Sequence, residues 1–553
     1  MQLPQTQHAI QIVGPDQIIV NPAKPVDQIG PYQLLLQVEA CGICFSDTKL
    51  LHAFDAHPRK APVVAGLAAA ELAEIPSYRP GGAPTVPGHE PVARVVAVGA
   101  EVTHYAVGDR VLVQADWKHL PTEASNGAFG YNFEGALQEY VVIDERCVVT
   151  PQGERFLLPV AEGPAAAAIG LIEPWATVEG AYSGVERTAP LVGGRLLLVA
   201  DPGTVPTVDA LLAAARPAEL VVVGEVDLSA GTPVRRVGAV ADLAGESFDD
   251  ICYFGSDAAT LGELGGLLGT RAILNTVLGG ARLDGPVLVD IGRVHYDLIR
   301  YAGTTGSDPL DGYRWLPGSA AVRAGERMAI VGAAGPMGLM HTVRAVTLGV
   351  PGISIDATDL SDDRLAHLAE VVAPLADAQG IPMRYLNTGE QPLASGYSYI
   401  VCMVPVPALV AQAVSRCTSG GIVNAFAGIP AGTRAELDLQ HLIAEQVFLM
   451  GSSGSSTADM ATVLAKIEDG TIDTLVSLDA VCGMAGFTDA IEAVMERRSG
   501  GKIMVYPALP DLGLVRLADL PSVLPAVAAA MVDGLWTAEA ERLLLATAGA
   551  RQP

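Results

Sequence analysis

The sequence predicts an α/β protein in which a small β-barrel precedes a doubly wound parallel sheet. Short strand-like segments separated by turns fill residues 1 to about 150, and a strand, glycine turn, helix and second strand follow one another from Met328 to Asp359. Residues 191–318 resemble that later unit. Closely spaced strands with turns between them are typical of a barrel, and a βαβ order is typical of a parallel sheet.

Length and charge limit the classes of protein that remain. The chain has 553 residues, enough for several domains, and its net charge of −27 argues against nucleic acid or an anionic membrane as partner. The seven cysteines are scattered and odd in number, which favours a reducing compartment. No signal-peptide pattern opens the sequence and no apolar run is long enough to span a bilayer, so we expect a cytoplasmic protein.

The barrel region is predicted from the segments QIIV, QLLLQVEA, ARVVAVG, DRVLVQ and LQEYVVI, with glycines between them. Two polar clusters interrupt these segments, CGICFSD at residues 41–47 and PGHE at residues 87–90. A third cluster, EPW at residues 173–175, opens a predicted helix. The barrel region and the helix after it therefore carry polar groups that a purely structural barrel does not need.

Thiol, imidazole and carboxylate groups together can bind zinc, and a catalytic zinc site needs three protein ligands and one open position. Cys44, His89 and either Glu90 or Glu173 would supply that set. The structural alternatives are that Cys44 is a small buried hydrophobic residue and that His89 is a turn residue.

The later unit predicts a dinucleotide site. Met328–Val331 reads as a buried strand, and the turn GAAGPMG lets the backbone approach a pyrophosphate at the N-terminus of the next helix. Asp359 follows a second strand, about 20 residues beyond the last glycine, where a carboxylate meets a ribose 2′-hydroxyl. An acid at this position favours NAD over NADP. The alternative is an ordinary strand-to-helix turn, since the glycine pattern is GxxGxxG.

These motifs carry a family resemblance. CGICFSD, PGHEPVARVVAVGAEV, GDRV, EPWATVEGAY and VGAAGPMG occur in the order found in the zinc-dependent medium-chain dehydrogenases/reductases, over residues 30–185 and 320–505. YNFEGALQEYVV, EPWA, GAAGPMG and VNAFAG are most similar to the sorbitol dehydrogenase and sorbose-1-phosphate reductase branch. The resemblance implies a chaperonin-10-like β-barrel catalytic domain and a Rossmann domain. It also implies a zinc- and NAD(P)-dependent oxidoreductase that interconverts a secondary alcohol and a ketone, of a polyol, sugar or sugar phosphate.

The resemblance also implies roles for individual residues. Cys44, His89 and Glu90 match the metal motif, Glu173 lies close to the metal, and Cys41 falls on a position not used for metal. Ser46 would relay the substrate proton, with a turn-stabilising serine as the alternative, and Asp47 would orient its loop. The cofactor positions are Gly332, Gly335, Pro336, Met337, Gly338, Asp359 and Arg364.

Three departures from the family pattern stand out. Residues 115–135 hold no cysteine, so one catalytic zinc and no structural zinc is expected. Lys49 stands where many relatives have a histidine, and the stretch between Cys44 and His89 is long, which predicts an added segment that shapes the cleft. Lys118, His57 and Arg59, like Lys49, are expected on solvated surface, with contact to a phosphate or polyol as the alternative.

Residues 191–318 look like a worn copy of the dinucleotide fold. Gly335 minus Gly203 is 132, and Asp359 minus Asp227 is also 132. Such an ordered match predicts a duplication, the alternative being two unrelated α/β segments. Ala200 and Pro206 replace Gly332 and Gly338, so the first copy is predicted to bind a dinucleotide weakly or not at all, and Pro206 removes a backbone donor. It could instead cover the edge through which relatives dimerise.

The sequence therefore predicts four parts: a barrel-like catalytic domain at 1–190, a degenerate Rossmann-like insertion at 191–318, an NAD(P)-binding domain at 319–475, and a return to the catalytic domain with C-terminal helices at 476–553. Asp519 and Thr537 are candidate N-caps in that tail. The chain would be a monomeric pseudo-dimer or a homo-oligomer. Two other functions stay open, a zinc-independent enone or quinone reductase and a non-catalytic cofactor-binding assembly protein.

Overall fold

A computed structural model of the chain describes residues 3–229, 231 and 233–549. Each predicted barrel segment contains strand residues: QIIV and QLLLQVEA lie wholly within strands, whereas ARVVAVG, DRVLVQ and LQEYVVI extend beyond theirs. The N-terminal region contains nine strands, β1 (Thr6–Gly14), β2 (Gln17–Pro25), β3 (Gln33–Ile43), β4 (Glu90–Val98), β5 (Arg110–Val113), β6 (Asp116–Pro121), β7 (Asn126–Ala128), β8 (Tyr140–Asp144) and β9 (Leu157–Pro159). Its helices are α1 (Phe45–Ala53), α2 (Ala69–Ala73), α3 (Glu145–Val148), α4 (Ala166–Gly170) and α5 (Ile172–Ser183).

A first parallel sheet follows the N-terminal region. This region contains the strands β10 (Arg195–Ala200), β11 (Glu219–Val223), β12 (Arg235–Val237), β13 (Phe248–Phe254), β14 (Leu268–Val277), β15 (Val287–Asp290) and β16 (Arg300–Thr304). The accompanying helices are α6 (Asp209–Ala215), α7 (Ala258–Gly265), α8 (Ile291–Tyr296) and α9 (Asp311–Arg314). The sheet has the strand order β12-β11-β10-β13-β14-β16, with β15 outside it.

The second parallel sheet repeats the first. Its region contains β17 (Arg327–Val331), β18 (Ser354–Asp359), β19 (Met383–Asn387), β20 (Tyr397–Cys402), β21 (Cys417–Ala425), β22 (Arg434–Leu437) and β23 (Phe448–Met450). Its helices are α10 (Pro336–Thr347), α11 (Asp362–Gln379), α12 (Pro407–Arg416), α13 (Leu439–Glu445) and α14 (Thr457–Glu468). The order β19-β18-β17-β20-β21-β23 matches the first sheet strand for strand. Both are Rossmann-like sheets, which confirms the predicted second copy.

The C-terminal region returns to the N-terminal strands. It contains β24 (Leu478–Cys482), β25 (Lys502–Val505), β26 (Val515–Arg516), α15 (Phe487–Met495), α16 (Leu520–Val523), α17 (Pro525–Ala528) and α18 (Ala538–Gly549). β25 pairs with β3, so these strands extend the sheet β3-β4-β5-β9. Thr537 accepts a hydrogen bond from Ala540 N–H as predicted for an N-cap, whereas the Asp519 side chain makes no such bond to α16 in the described chain.

The two copies face each other through a local twofold relationship. β15 and β22, outside their sheets, pair antiparallel with Leu288 opposite Glu436. The difference, 436 minus 288, is 148, and Gly303 and Gly451 differ by the same number. Equivalent residues therefore meet at the centre of the strand pair, as they do at the axis of a symmetric dimer.

The packing around the β15–β22 strand pair shows the same twofold correspondence between the copies. Gly303 lies against Ile443, and Gly451 lies against His295, the residue that corresponds to Ile443 at an offset of 148. A Cβ on Gly303 would come within 2.8 Å of the Ile443 side chain, and one on Gly451 within 2.8 Å of the His295 Cα. The copies thus share one apolar core within the chain. Within the described residues, no helix combines the length and apolarity needed to cross a membrane.

Candidate active site

Strand pairing brings the first two polar clusters together. The end of β3 pairs with the start of β4, with Gly42 opposite Glu90. Cys44 stands at the N-terminus of α1, directly after β3, and His89 stands directly before β4. Gly88 has a φ of +96°, and a Cβ there would lie 2.7 Å from Leu137 Cγ, so only glycine fits this turn without strain.

The candidate ligand atoms of Cys44, His89 and Glu90 all lie within 4.8 Å of one another. Ligands at zinc bond lengths of about 2.0–2.3 Å in a tetrahedral arrangement stand roughly 3.5 Å apart, so a small closure of the side chains would suit a zinc ion. A thiolate, an imidazole and a carboxylate are donors that zinc accepts. The residues present therefore fit this metal.

His89 is held from both ring nitrogens. Its Nδ1 lies 3.2 Å from Asp47 Oδ1, and its Nε2 lies 3.0 Å from Ser46 Oγ. The other oxygen of Asp47 accepts a hydrogen bond from the backbone N–H of Cys44 at 2.9 Å. Burial lowers the pKa of His89, but Tyr131 and Asp47 outweigh it and hold that pKa well above its usual value. Asp47 thus links the thiol segment to the imidazole, beyond the loop-orienting role expected from the sequence.

Glu90 has a partner that the sequence reasoning missed. Lys502, on β25, places its Nζ 2.6 Å from Glu90 Oε1, and both side chains are buried. Burial lowers the pKa of Lys502, but the adjacent Glu90 carboxylate outweighs this effect and holds that pKa above its usual value. Gly42 leaves the space for this carboxylate, since a Cβ there would lie 2.2 Å from Glu90 Oε2.

Glu173 lies on the first turn of α5, outside the group formed by the other three residues. Burial and the nearby Glu90 raise the pKa of Glu173 to about 7. The helix is fixed beside it, because Trp175 Nε1 donates a hydrogen bond to Ser477 Oγ at 3.0 Å. Cys41, as expected, takes no part in the group: it is buried in the apolar core, and burial raises the pKa of its thiol.

A second cluster adjoins the candidate metal ligands. The Tyr131 ring centroid lies 5.4 Å from that of His89 and 5.2 Å from that of His57, and Arg59 Cζ lies 5.0 Å from it. Arg59 also forms an ion pair with Asp116 at 2.9 Å. His57 and Arg59 are only partly exposed and pack on a buried tyrosine, so they depart in part from the solvated surface that the sequence favours, whereas Lys49 and Lys118 are exposed.

The predicted cofactor turn has the expected local form. Gly332 follows β17 with a φ of +82°, and α10 begins at Pro336, directly after Gly335, and includes Met337 and Gly338. Asp359 is the last residue of β18. Its Oδ2 lies 3.3 Å from Arg364 Nη2, and its Oδ1 accepts a hydrogen bond from Leu360 N–H. An acid and a guanidinium thus stand together at the position predicted for the ribose.

The first copy departs from this form in two ways. Its helix α6 begins at Asp209, six residues after Gly203, so no helix N-terminus follows the glycine turn directly. The Asp201 carboxylate instead occupies the turn, accepting hydrogen bonds from Tyr253 Oη at 2.7 Å and Ser256 N–H at 3.1 Å. A fixed carboxylate at this position repels an anion, which supports the prediction of weak or absent dinucleotide binding.

Known proteins resemble the chain in part. Residues 30–152 match the alcohol dehydrogenase GroES-like domain family. A mannitol-1-phosphate 5-dehydrogenase of Aliivibrio fischeri is 28% identical over 214 residues, which are 36% of this chain and 50% of that protein. A D-altritol 5-dehydrogenase of Agrobacterium fabrum is 29% identical over 146 residues, 25% of this chain and 36% of that protein. The 2R,3R-butanediol dehydrogenase structure from Bacillus subtilis aligns with a TM-score of 0.52 at 16% identity, covering 91% of this chain and 100% of that one.

A GroES-like domain joined to Rossmann-like sheets is the architecture of the alcohol dehydrogenases. Residues 30–152 carry the GroES-like domain of this family, and the chain is similar to the alcohol dehydrogenase-like proteins of the medium-chain dehydrogenase/reductase superfamily. It spans half the length of the first of these curated relatives and about a third of the second. The likeness to the solved structure concerns the fold alone.

Proposed function

We propose that the chain is a zinc- and NAD(P)-dependent oxidoreductase that interconverts a secondary alcohol and a ketone of a polyol, sugar or sugar phosphate. The observation that carries the proposal is the approach of Cys44, His89 and Glu90 to within 4.8 Å in a chain similar to the proteins of this superfamily. The names of the mannitol-1-phosphate and D-altritol relatives support the substrate class.

Cys44 and His89 would hold the zinc, with Glu90 or Glu173 as the third ligand. Glu90 already has Lys502 as a partner at 2.6 Å, whereas Glu173 forms no ion pair within the described chain. A bound zinc would polarise the substrate oxygen and ease loss of its proton. Ser46, with Oγ at 3.0 Å from His89 Nε2, would accept that proton and pass it on, because its hydroxyl both donates and accepts.

The dinucleotide would bind at the start of α10, where the turn from Gly332 to Gly338 directs backbone N–H groups toward a pyrophosphate. Its nicotinamide would supply the hydride acceptor or donor. Asp359 would accept a hydrogen bond from the ribose 2′-hydroxyl, which favours NAD. Arg364, 3.3 Å from Asp359, is the group that would receive a 2′-phosphate, so NADP is the second choice.

The in-chain pairing of β15 with β22 supports a monomer that is a pseudo-dimer, in which the first copy occupies the place of a second subunit. Light scattering would test this oligomeric state: a monomer is expected, and a dimer or larger homo-oligomer would contradict it. The seven free cysteines support a cytoplasmic location.

The function is tested by measuring zinc and NADH formation on one preparation. We expect about one zinc per chain and oxidation of at least one member of a panel of polyols, sugar acids and sugar phosphates. Cys44→Ala should lose both zinc and activity, whereas Cys41→Ala should keep both, because Cys41 lies in the core. Undiminished activity without zinc would favour the enone or quinone reductase. Bound NAD⁺ with no substrate oxidised would favour the non-catalytic assembly protein.

A further inference from the structure

The cluster beside the candidate metal ligands contains a guanidinium whose charge is already matched. Arg59 Nη2 lies 2.9 Å from Asp116 Oδ1 and donates a hydrogen bond to Asp116 Oδ2 at 3.1 Å. Asp116 is itself fixed, because its backbone N–H donates to Gln114 Oε1 at 3.0 Å and Gln114 Nε2 donates to Ser455 O at 3.0 Å. The position of the Arg59–Asp116 pair is therefore fixed by hydrogen bonds to neighbouring residues.

The other nearby cations have partners too. Lys502 is paired with Glu90, and the buried Lys60 ammonium donates hydrogen bonds to the carbonyl oxygens of Arg79 and Ala83. Lys49 is the exception: it is exposed and lies near enough to His57 to act on it electrostatically. A buried cation that is already paired contributes little attraction for an added anion.

Acidic groups outnumber permanent cations around the same place. Asp47, Glu90, Glu173, Asp116 and the Cys44 thiol stand against Arg59 and Lys502. A divalent metal would bring the balance of these groups close to zero; the Lys60 ammonium, held by carbonyl oxygens, and the exposed Lys49 lie outside this balance. Phosphate esters are bound by uncompensated arginines or by helix N-termini, and neither is found beside the described ligands except at α1, whose N-terminus holds Cys44 and Asp47.

We propose that this site takes an uncharged polyol or keto-sugar and rejects its phosphate ester, because Asp116 neutralises Arg59. The inference rests on the proposed function of the same site and narrows its substrate class. The Arg59–Asp116 pair supplies both donors and an acceptor within a few ångströms, a combination that suits hydroxyl groups, which donate and accept. The Tyr131 ring packs against the same guanidinium, with Arg59 Cζ 5.0 Å from the ring centroid.

The test compares a hexitol with its 1-phosphate on the zinc-loaded chain with saturating NAD⁺. We expect kcat/KM for the hexitol to exceed that for the phosphate by on the order of 100-fold, since juxtaposed like charges cost several kcal/mol. Asp116→Asn frees the guanidinium, so this ratio should fall by about tenfold or more, corresponding to one uncompensated charge-assisted hydrogen bond. Lys49→Met, which removes the exposed cation, should leave the ratio unchanged.

A binding measurement separates this inference from the proposed function. Inorganic phosphate is titrated calorimetrically into the zinc-loaded, NAD⁺-saturated chain, with no turnover required. Weak or no binding to the native chain together with measurable binding to Asp116→Asn supports the charge balance, even if no polyol is oxidised and the proposed function fails. A native chain that prefers the phosphate ester, or that binds phosphate and loses it in Lys49→Met, overturns the inference while leaving the dehydrogenase proposal intact.

Discussion

The ammonium of Lys502 lies 2.6 Å from a carboxylate oxygen of Glu90, and both side chains are buried although 412 positions separate them. A buried charge that loses its partner keeps its full desolvation cost. Lys502→Met is therefore expected to lower the free energy of unfolding of the zinc-free protein by about 3–5 kcal/mol. Urea denaturation at neutral pH measures this loss.

The matched control for that substitution is Arg542→Met, which breaks an exposed ion pair with Glu539 on α18. Solvent screens exposed ion pairs, and many of them contribute nothing measurable to stability. No change in the free energy of unfolding is therefore expected for Arg542→Met. Equal losses for both variants would show that burial of the Lys502–Glu90 pair does not matter for stability.

Asp47 is expected to set the affinity for zinc without binding it. Its Oδ1 lies 3.2 Å from His89 Nδ1, and a carboxylate behind a ligating histidine fixes the ring and raises its basicity. Asp47→Asn should weaken zinc binding by about 10–100-fold in competition with a chromogenic chelator. Asp55→Asn, in the exposed segment after α1, should leave the affinity unchanged. An unchanged zinc affinity in Asp47→Asn would contradict the proposed role of Asp47 behind His89.

The parts of the site that the sequence predicts are those carried by short motifs next to strands. Cys44 follows β3 and His89 precedes β4, so one antiparallel pairing is enough to bring them together. The same holds for the glycine turn before α10. In each case the residues that define the chemistry are neighbours of the element that positions them.

The parts that were missed depend on long-range packing. Lys502 stands in KIMV, a strand with no local sign of a charge partner. Asp116 belongs to no motif of its own, and its role depends on Arg59, 57 residues earlier. An arginine in a polar loop is usually solvated, whereas the half-buried Arg59 side chain packs against Tyr131 and forms an ion pair with Asp116.

One dinucleotide is expected to bind each chain, in the second copy. Gly332 and Gly203 both have a positive φ, +82° and +85°, but a Cβ on Gly332 would lie 2.6 Å from Val404 whereas one on Gly203 would meet nothing within 4 Å. Gly332→Ala should raise the Kd for NAD⁺ by about tenfold or more, since a left-handed alanine costs roughly 1–2 kcal/mol and the turn must also shift. Calorimetry measures both affinity and stoichiometry.

Gly203→Ala is the control for backbone strain, because it imposes the same conformation in the copy whose turn Asp201 occupies. Its affinity for NAD⁺ should equal that of the native chain. Two dinucleotides per chain, or weaker binding in Gly203→Ala, would show that the first copy takes part.

Acid is expected to destabilise the chain in part through His341. This residue is fully buried, and its Nδ1 lies 2.7 Å from Tyr182 Oη. Burial and, to a lesser extent, the positive charge of Arg344 lower the pKa of His341 to about 3. Because the folded pKa is below the unfolded value near 6.5, the stabilisation is complete above pH 6.5 and is lost as the pH falls toward 3, by up to about 4–5 kcal/mol. His341→Gln should therefore lose less stability than the native chain between pH 7 and pH 4 in zinc-free urea denaturation, whereas His367→Gln, an exposed histidine on α11, should follow the native profile. Parallel profiles for the native chain and His341→Gln would mean that His341 is not the group that titrates.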